Sequence, residues 1–220
     1  MRNSILLLVI CLAAYGARGV SIVTAPGNPY QISGLSTDPS SGLTMSGMQV
    51  WAQFSDGSTQ VATWGHGGAT VPSWFSISVL GNTFTVPWSI NNLSAQSSIV
   101  SFGFLGAPGA VVFDKAYPGF GTLDSGNGLD LAFYDNRPAT VIYSDIVSLA
   151  GNSPVGDLYA SMKVVLDNDP LLAGSSVKFR QDTDSAIGTR FIPRVPDLGS
   201  TALLLSMGLA GVFAIPRRWA

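Results

Sequence analysis

Apolar residues in this chain recur with a period of two, in short runs separated by Gly, Asn, Asp, Ser and Pro. That spacing puts alternate side chains on opposite faces of a strand, and no stretch between the two ends carries the 3.6 period of a long helix. Val50-Trp51-Ala52-Gln53-Phe54 and Gln60-Val61-Ala62-Thr63-Trp64 flank Ser55-Asp56-Gly57-Ser58, which predicts a hairpin whose Asp-Gly pair tolerates positive φ. Phe75, Ile77 and Val79 alternate with serines, and after Gly81-Asn82 the pattern resumes with Phe84, Val86 and Trp88, which predicts a second hairpin with one buried face. Further strands are expected at Ile99–Leu105, Ala110–Asp114, Thr140–Val147, Leu158–Leu166 and Ser176–Arg180, with Leu158, Ala160, Met162, Val164 and Leu166 on one buried face.

About nine or ten such strands predict an all-β fold, an antiparallel β-sandwich of jelly-roll-like type, spanning residues 20–181. Composition points the same way: only 11% of residues are charged, and every acidic residue is Asp, which serves turns where Glu would serve helix surfaces. Within 20–181 Asp outnumbers Lys plus Arg, so no basic patch for nucleic acid is expected. The single cysteine, Cys11, lies in the N-terminal apolar run, which leaves the body without a thiol for a disulfide, a zinc site or a nucleophile.

The two ends read as addresses. Met1-Arg2-Asn3, the apolar run Ile5–Ala14 and the small residues that follow have the three parts of a signal peptide over 1–19, cut by signal peptidase after Gly16 or Gly19. At the other end, Val195-Pro196-Asp197-Leu198-Gly199 precedes an apolar run and then Arg217-Arg218. Residues 198–216 are long enough for a transmembrane helix, and the Arg pair would stay on the cytoplasmic side, leaving the body outside. Polar, then Pro-bracketed, residues 182–194 read as a spacer.

The motif, apolar helix and basic cluster over 195–220 together resemble the PEP-CTERM class of bacterial sorting signals, specifically the VPDSG-CTERM variant, with Leu198 where that motif has Ser. The resemblance implies recognition and cutting near the motif by an exosortase-type membrane protease, with Pro196 and Asp197 as substrate residues. The body also looks like the β-domain common among proteins with this tag, through Phe54-Ser55-Asp56-Gly57, Trp64, Trp88, Val112-Phe113-Asp114 and Gly156-Asp157-Leu158-Tyr159. That likeness implies a fold and no activity.

Side-chain chemistry in the body is sparse. His66 is the only histidine and there is no Gly-x-Ser-x-Gly elbow, so a hydrolase would have to depend on His66 alone, and no enzymatic activity is expected. Asp124, Asn127 and Asp130 place oxygen donors along a Gly-rich loop that suits Ca²⁺, with Asp167-Asn168-Asp169 and Asp182-Thr183-Asp184 able to contribute likewise; the same residues also suit ordinary turns. Trp51 and Trp74 sit out of phase with their apolar neighbours and would be the candidate stacking residues for a glycan. The expected protein is an exported cell-surface or matrix protein with an inner-membrane-anchored precursor and a structural or adhesive body. The alternatives are a lectin-like module acting on exopolysaccharide and a secreted hydrolase.

Overall fold

The computed structural model describes residues 19–187, except Pro26, Asn28, Thr37 and Pro39, and the backbone of Ile192–Pro193. The expected signal peptide, transmembrane helix 198–216 and motif 195–199 lie outside the described residues, apart from Gly19. In chain order the first strands are β1 (Val20–Thr24), β2 (Tyr30–Ile32), β3 (Gly34–Leu35), β4 (Gln49–Phe54), β5 (Thr59–Thr63), β6 (Gly68–Val71), β7 (Phe75–Ser78) and β8 (Trp88–Asn92). They are followed by β9 (Ile99–Leu105), β10 (Val111–Asp114), β11 (Ala132–Phe133), β12 (Ala139–Leu149), β13 (Leu158–Val165), β14 (Ser176–Arg180), β15 (Asp182–Ile187) and β16 (Ile192–Pro193). Among the described residues no helix is long and apolar enough to cross a membrane.

The strands form two sheets. The smaller runs β11-β14-β8-β7-β6, and the larger runs β16-β2-β12-β13-β10-β15-β3 with a side branch from β13 through β9 to β4 and β5. The fork arises because β9 pairs with Ser161–Val165 and β10 with Leu158 and Tyr159 along the same edge of β13, with the tight turn Ala107–Gly109 between them. The sheets are antiparallel as expected, save that β1 and β2 both lie parallel to β12. This forked path differs from the paired sheets of a jelly roll.

The main core lies between the two sheets, where Trp64, Trp88, Phe102, Phe104 and Phe179 are buried. A second cluster of Ile32, Leu35, Val112, Val147, Leu149, Leu158 and Ala160 covers the other face of the larger sheet near β10. Asp145, at φ 60°, divides β12 between them: Ala139, Val141 and Tyr143 belong to the first cluster, Val147 and Leu149 to the second. In β13 the five residues expected on the buried face are all buried but are divided between the clusters, Leu158 and Ala160 joining the second and Met162, Val164 and Leu166 the first.

The hairpin predicted at 50–64 forms, with Val50 opposite Ala62 and Gly57 at φ 86° in its turn. The second predicted hairpin is displaced: β7 pairs with Ser89–Asn92 of β8, not with 84–88. Asn82 captures the chain before it can extend, its side chain accepting from the Phe84 N–H at 2.8 Å and its carbonyl from the Thr85 and Val86 N–H groups. Such a side-chain-closed turn competes with strand geometry, and Pro87, lacking a donor, delays the strand to Trp88. Phe84 is consequently exposed. The expected spacer also begins too early: Asp182–Ile187 pairs antiparallel with Val111–Asp114 and continues onto β3, so the body extends through Ile187.

Candidate functional site

The larger sheet ends in an acidic face. Across β10 and β15, Asp114 stands opposite Asp182 and Val112 opposite Asp184. Because side chains alternate along a strand, Asp114, Asp182 and Asp184 share one face. Leu158 lies opposite Asp114 on the other side, which brings Asp157 alongside. Asp157 then fastens the 119–130 loop across this face. Its carboxylate accepts from the Thr122 backbone N–H and, at 2.6 Å, from the Thr122 hydroxyl, with the Ser125 hydroxyl at 3.5 Å. The loop closes so tightly that a Cβ at Gly128 would lie 2.3 Å from Asp114 Oδ1, and one at Gly121 would lie 2.8 Å from Asp157 Oδ2.

Gln181 braces the underside of the site. Its Nε2 donates to the carbonyls of Asp114 (3.2 Å), Leu129 (3.3 Å) and Asp182 (2.8 Å), and its Oε1 accepts from the Tyr143 hydroxyl at 2.5 Å. The same hydroxyl accepts from the Leu131 N–H at 3.3 Å. Tyr143→Phe would leave two buried polar groups without a partner, at a cost of about 1–3 kcal/mol each when no water replaces the hydroxyl. A fall in the urea midpoint with an unchanged m value is the expected result; an unchanged midpoint would show that the brace contributes nothing.

The carboxylates themselves are poorly compensated. Asp114 is 1% exposed, and neither of its carboxylate oxygens has a hydrogen-bond partner; Asp184 Oδ2 is likewise buried and unpartnered. The ion pairs found among the described residues are those of Arg137 with Asp135 and Asp169, away from this group. Burial, and then the neighbouring Asp184, Asp182 and Asp157 charges, push the Asp114 carboxyl up to about 9. Burial followed by Asp182 and Asp157 raises Asp184 to about 7, and burial raises Asp182 to about 6 against the opposing hydrogen bonds from Thr183 and Thr83. A cleft of about 330 Å³, lined by Asn82, Asp124, Asn127, Asp182 and Asp184 among others, opens the face to solvent. Among the described residues no three Asp, Glu, His or Cys side chains are gathered so as to hold a metal ion by themselves.

Of the residues singled out in the sequence, Asp124 and Asn127 stand on the lip of this cleft, Asp124 exposed at φ 69°. Asp130 lines a separate cleft with Arg137 and Arg180, so the three predicted ligands are not brought together. Trp51 and Trp74 do not form a row. The Trp51 indole lies against Gly103, where a Cβ would sit 2.5 Å from the ring, with Lys163 Nζ 5.7 Å from its centroid. Trp74 is on the core side, its ring 4.9 Å from that of buried Phe54. His66 is exposed between β5 and β6. Asp114 and Asp157 escaped the sequence reading as site residues: each adjoins an apolar strand, and only the pairing of β10 with β13 and β15 unites them with Asp182 and Asp184.

A family model described as VPDSG-CTERM motif matches residues 194–219. No curated protein and no solved structure matches the chain. The match takes in Val195-Pro196-Asp197-Leu198-Gly199, the apolar run and Arg217-Arg218, and does not extend over the β body. A motif of this kind marks a protein for sorting and implies processing by an exosortase-type enzyme in the membrane. The chain therefore ends in a VPDSG-CTERM motif, a sorting signal of the PEP-CTERM type.

Proposed function

We propose that this chain is an exported surface or extracellular-matrix protein, held in the membrane as a precursor through residues 198–216 and then processed near 195–199 by an exosortase-type enzyme. The β body is its structural or adhesive module. The observation that carries this reading is the match over 194–219, where motif, apolar run and Arg pair occur in the order a sorting signal needs. An apolar run closed by Arg217-Arg218 holds its basic end on the cytoplasmic side and so leaves the body outside. The low charge and strand-rich body suit a module whose work is done by its surface.

Replacing Val195–Gly199 with five alanines tests the reading in the native host. The expected outcome is a full-length chain retained in the membrane and a surface pool that falls to background. Leu198→Ser, which restores the usual residue of the motif, should leave processing intact or faster. A surface pool unaffected by the five-alanine replacement would overturn the proposal.

A further inference from the structure

The geometry points to a calcium site at the acidic end of β10 and β15, with Asp114 and Asp184 as its charged ligands and the 121–130 loop as its roof. This goes beyond the sorting role and does not depend on it. Two carboxylate oxygens of Asp114 and one of Asp184 are buried without a partner, in a group that also contains Asp157 and Asp182. Asp157 differs, being satisfied by Thr122 and Ser125, and Asp182 Oδ1 accepts from the Thr183 N–H at 2.9 Å. Asp130 Oδ1 is also buried without a partner, but Asp130 lines the other cleft with Arg137 and Arg180, so on this face the loose ends are those of Asp114 and Asp184.

A buried carboxylate is kept only when something offsets its lost hydration. The nearest lysine in sequence, Lys115, donates its Nζ to the Ala116 carbonyl. Protonation would discharge Asp114 and give it one O–H donor, but would supply no donor to its other oxygen. A water could donate hydrogen bonds but brings no positive charge. A hard divalent cation supplies charge and occupies several oxygens at once, and Ca²⁺ accepts mixed sets of carboxylate, carbonyl and water oxygens without strict geometry. Two carboxylates with neutral oxygens fit that chemistry, whereas a set of three acidic side chains is not assembled here. Access is through the cleft past Asp182 and Asp184, and Gly128 lets the roof close directly on Asp114.

Isothermal titration and thermal unfolding of the full chain in detergent, first stripped with chelator and then given CaCl₂, test the site. The expected result is one ion bound per chain and a Tm raised by about 5–10 °C when calcium exceeds the Kd about a hundredfold. Asp114→Asn should weaken binding at least about a hundredfold, while its Tm in chelator is no lower than that of the parent, because the variant takes out a buried carboxyl whose oxygens have no hydrogen-bond partner and which is crowded by Asp157, Asp182 and Asp184. Asp124→Asn, altering only the exposed lip, should bind as the parent does. Should Asp114→Asn fail to fold, Asp184→Asn is read by the same binding criterion. No binding at millimolar calcium, or binding that survives Asp114→Asn and Asp184→Asn alike, would overturn the site.

Discussion

Trp88→Ala should destabilise the body by about 3–5 kcal/mol, the range for removing a large aromatic side chain from a close-packed core. Trp88 opens β8 and is fully buried between the sheets, stacked on Phe179 at 5.8 Å and edge-on to Trp64 and Phe104 at 5.4 and 5.5 Å. Its Nε1 also donates to the Gln181 carbonyl at 2.9 Å, so it anchors the residue that braces the acidic face. Truncation leaves a cavity among rings attached to both sheets, and none can move without breaking contacts with the others. Urea unfolding monitored by far-ultraviolet circular dichroism gives the measurement. A loss below about 1 kcal/mol would mean that the two sheets do not depend on this ring for their packing. Trp88→Phe, which keeps apolar volume but loses the donor, should fall between the parent and the alanine variant.

Gly42→Ala should cost about 3 kcal/mol or more, an unusually large effect for one added methyl group. A Cβ there would lie 1.7 Å from the Val79 carbonyl oxygen and 2.8 Å from its carbon, and both are backbone atoms with no rotamer to yield. Gly42 is also held in place. Its N–H donates to the Gly81 carbonyl at 3.2 Å, and its own carbonyl accepts from Trp64 Nε1 at 2.7 Å. Relief by backbone movement would break the tie to Trp64 or separate the 41–44 turn from Asn82, which lines the acidic cleft. Gly34→Ala is the control: nothing lies within 4 Å of its Cβ position, and a change within about 0.5 kcal/mol is expected. Equal losses at the two positions would show that contact with Val79 is not what requires glycine at position 42.

Local pattern was enough for the elements whose structure is itself local. Asp56-Gly57 closes its hairpin by a short-range rule, so β4 and β5 were readable, and Ser176–Arg180 matches its predicted span residue for residue. Where a turn residue and a strand pattern competed, as at Asn82–Trp88, alternation of Phe84 and Val86 gave the wrong strand because the Asn82 side chain closes a turn first. Asp182–Ile187 read as a spacer because its polar residues are those of a linker. Their partners, Thr83 and Val111–Asp114, are far away in sequence, and a single chain read in order gives no sign of such pairing.

The acidic site divides in the same way. Its loop was visible because Asp124, Asn127 and the glycines are typical of cation-binding and turn sequences alike. Its buried floor was not. Asp114 ends the apolar run Val111-Val112-Phe113, and an Asp in that position usually marks a strand leaving the core. Only the fork at β13, which carries β10 inward beside β15, turns that strand end into a fully buried carboxylate. The sorting signal is legible for the opposite reason: motif, apolar run and basic end are contiguous over 194–219 and need no tertiary context.

The most direct test of the account is the mass and cell fraction of the mature product. An epitope inserted between Ile187 and Ile192 remains with the body if the chain is cut near Val195-Pro196-Asp197-Leu198-Gly199. In the native host, the account predicts an epitope-bearing product at the surface or in the medium, with its N-terminal leader removed and its mass ending within or close to residues 195–199. A product that keeps Arg217-Arg218 and stays in the membrane fraction would contradict it, and would make the C-terminal segment an ordinary anchor.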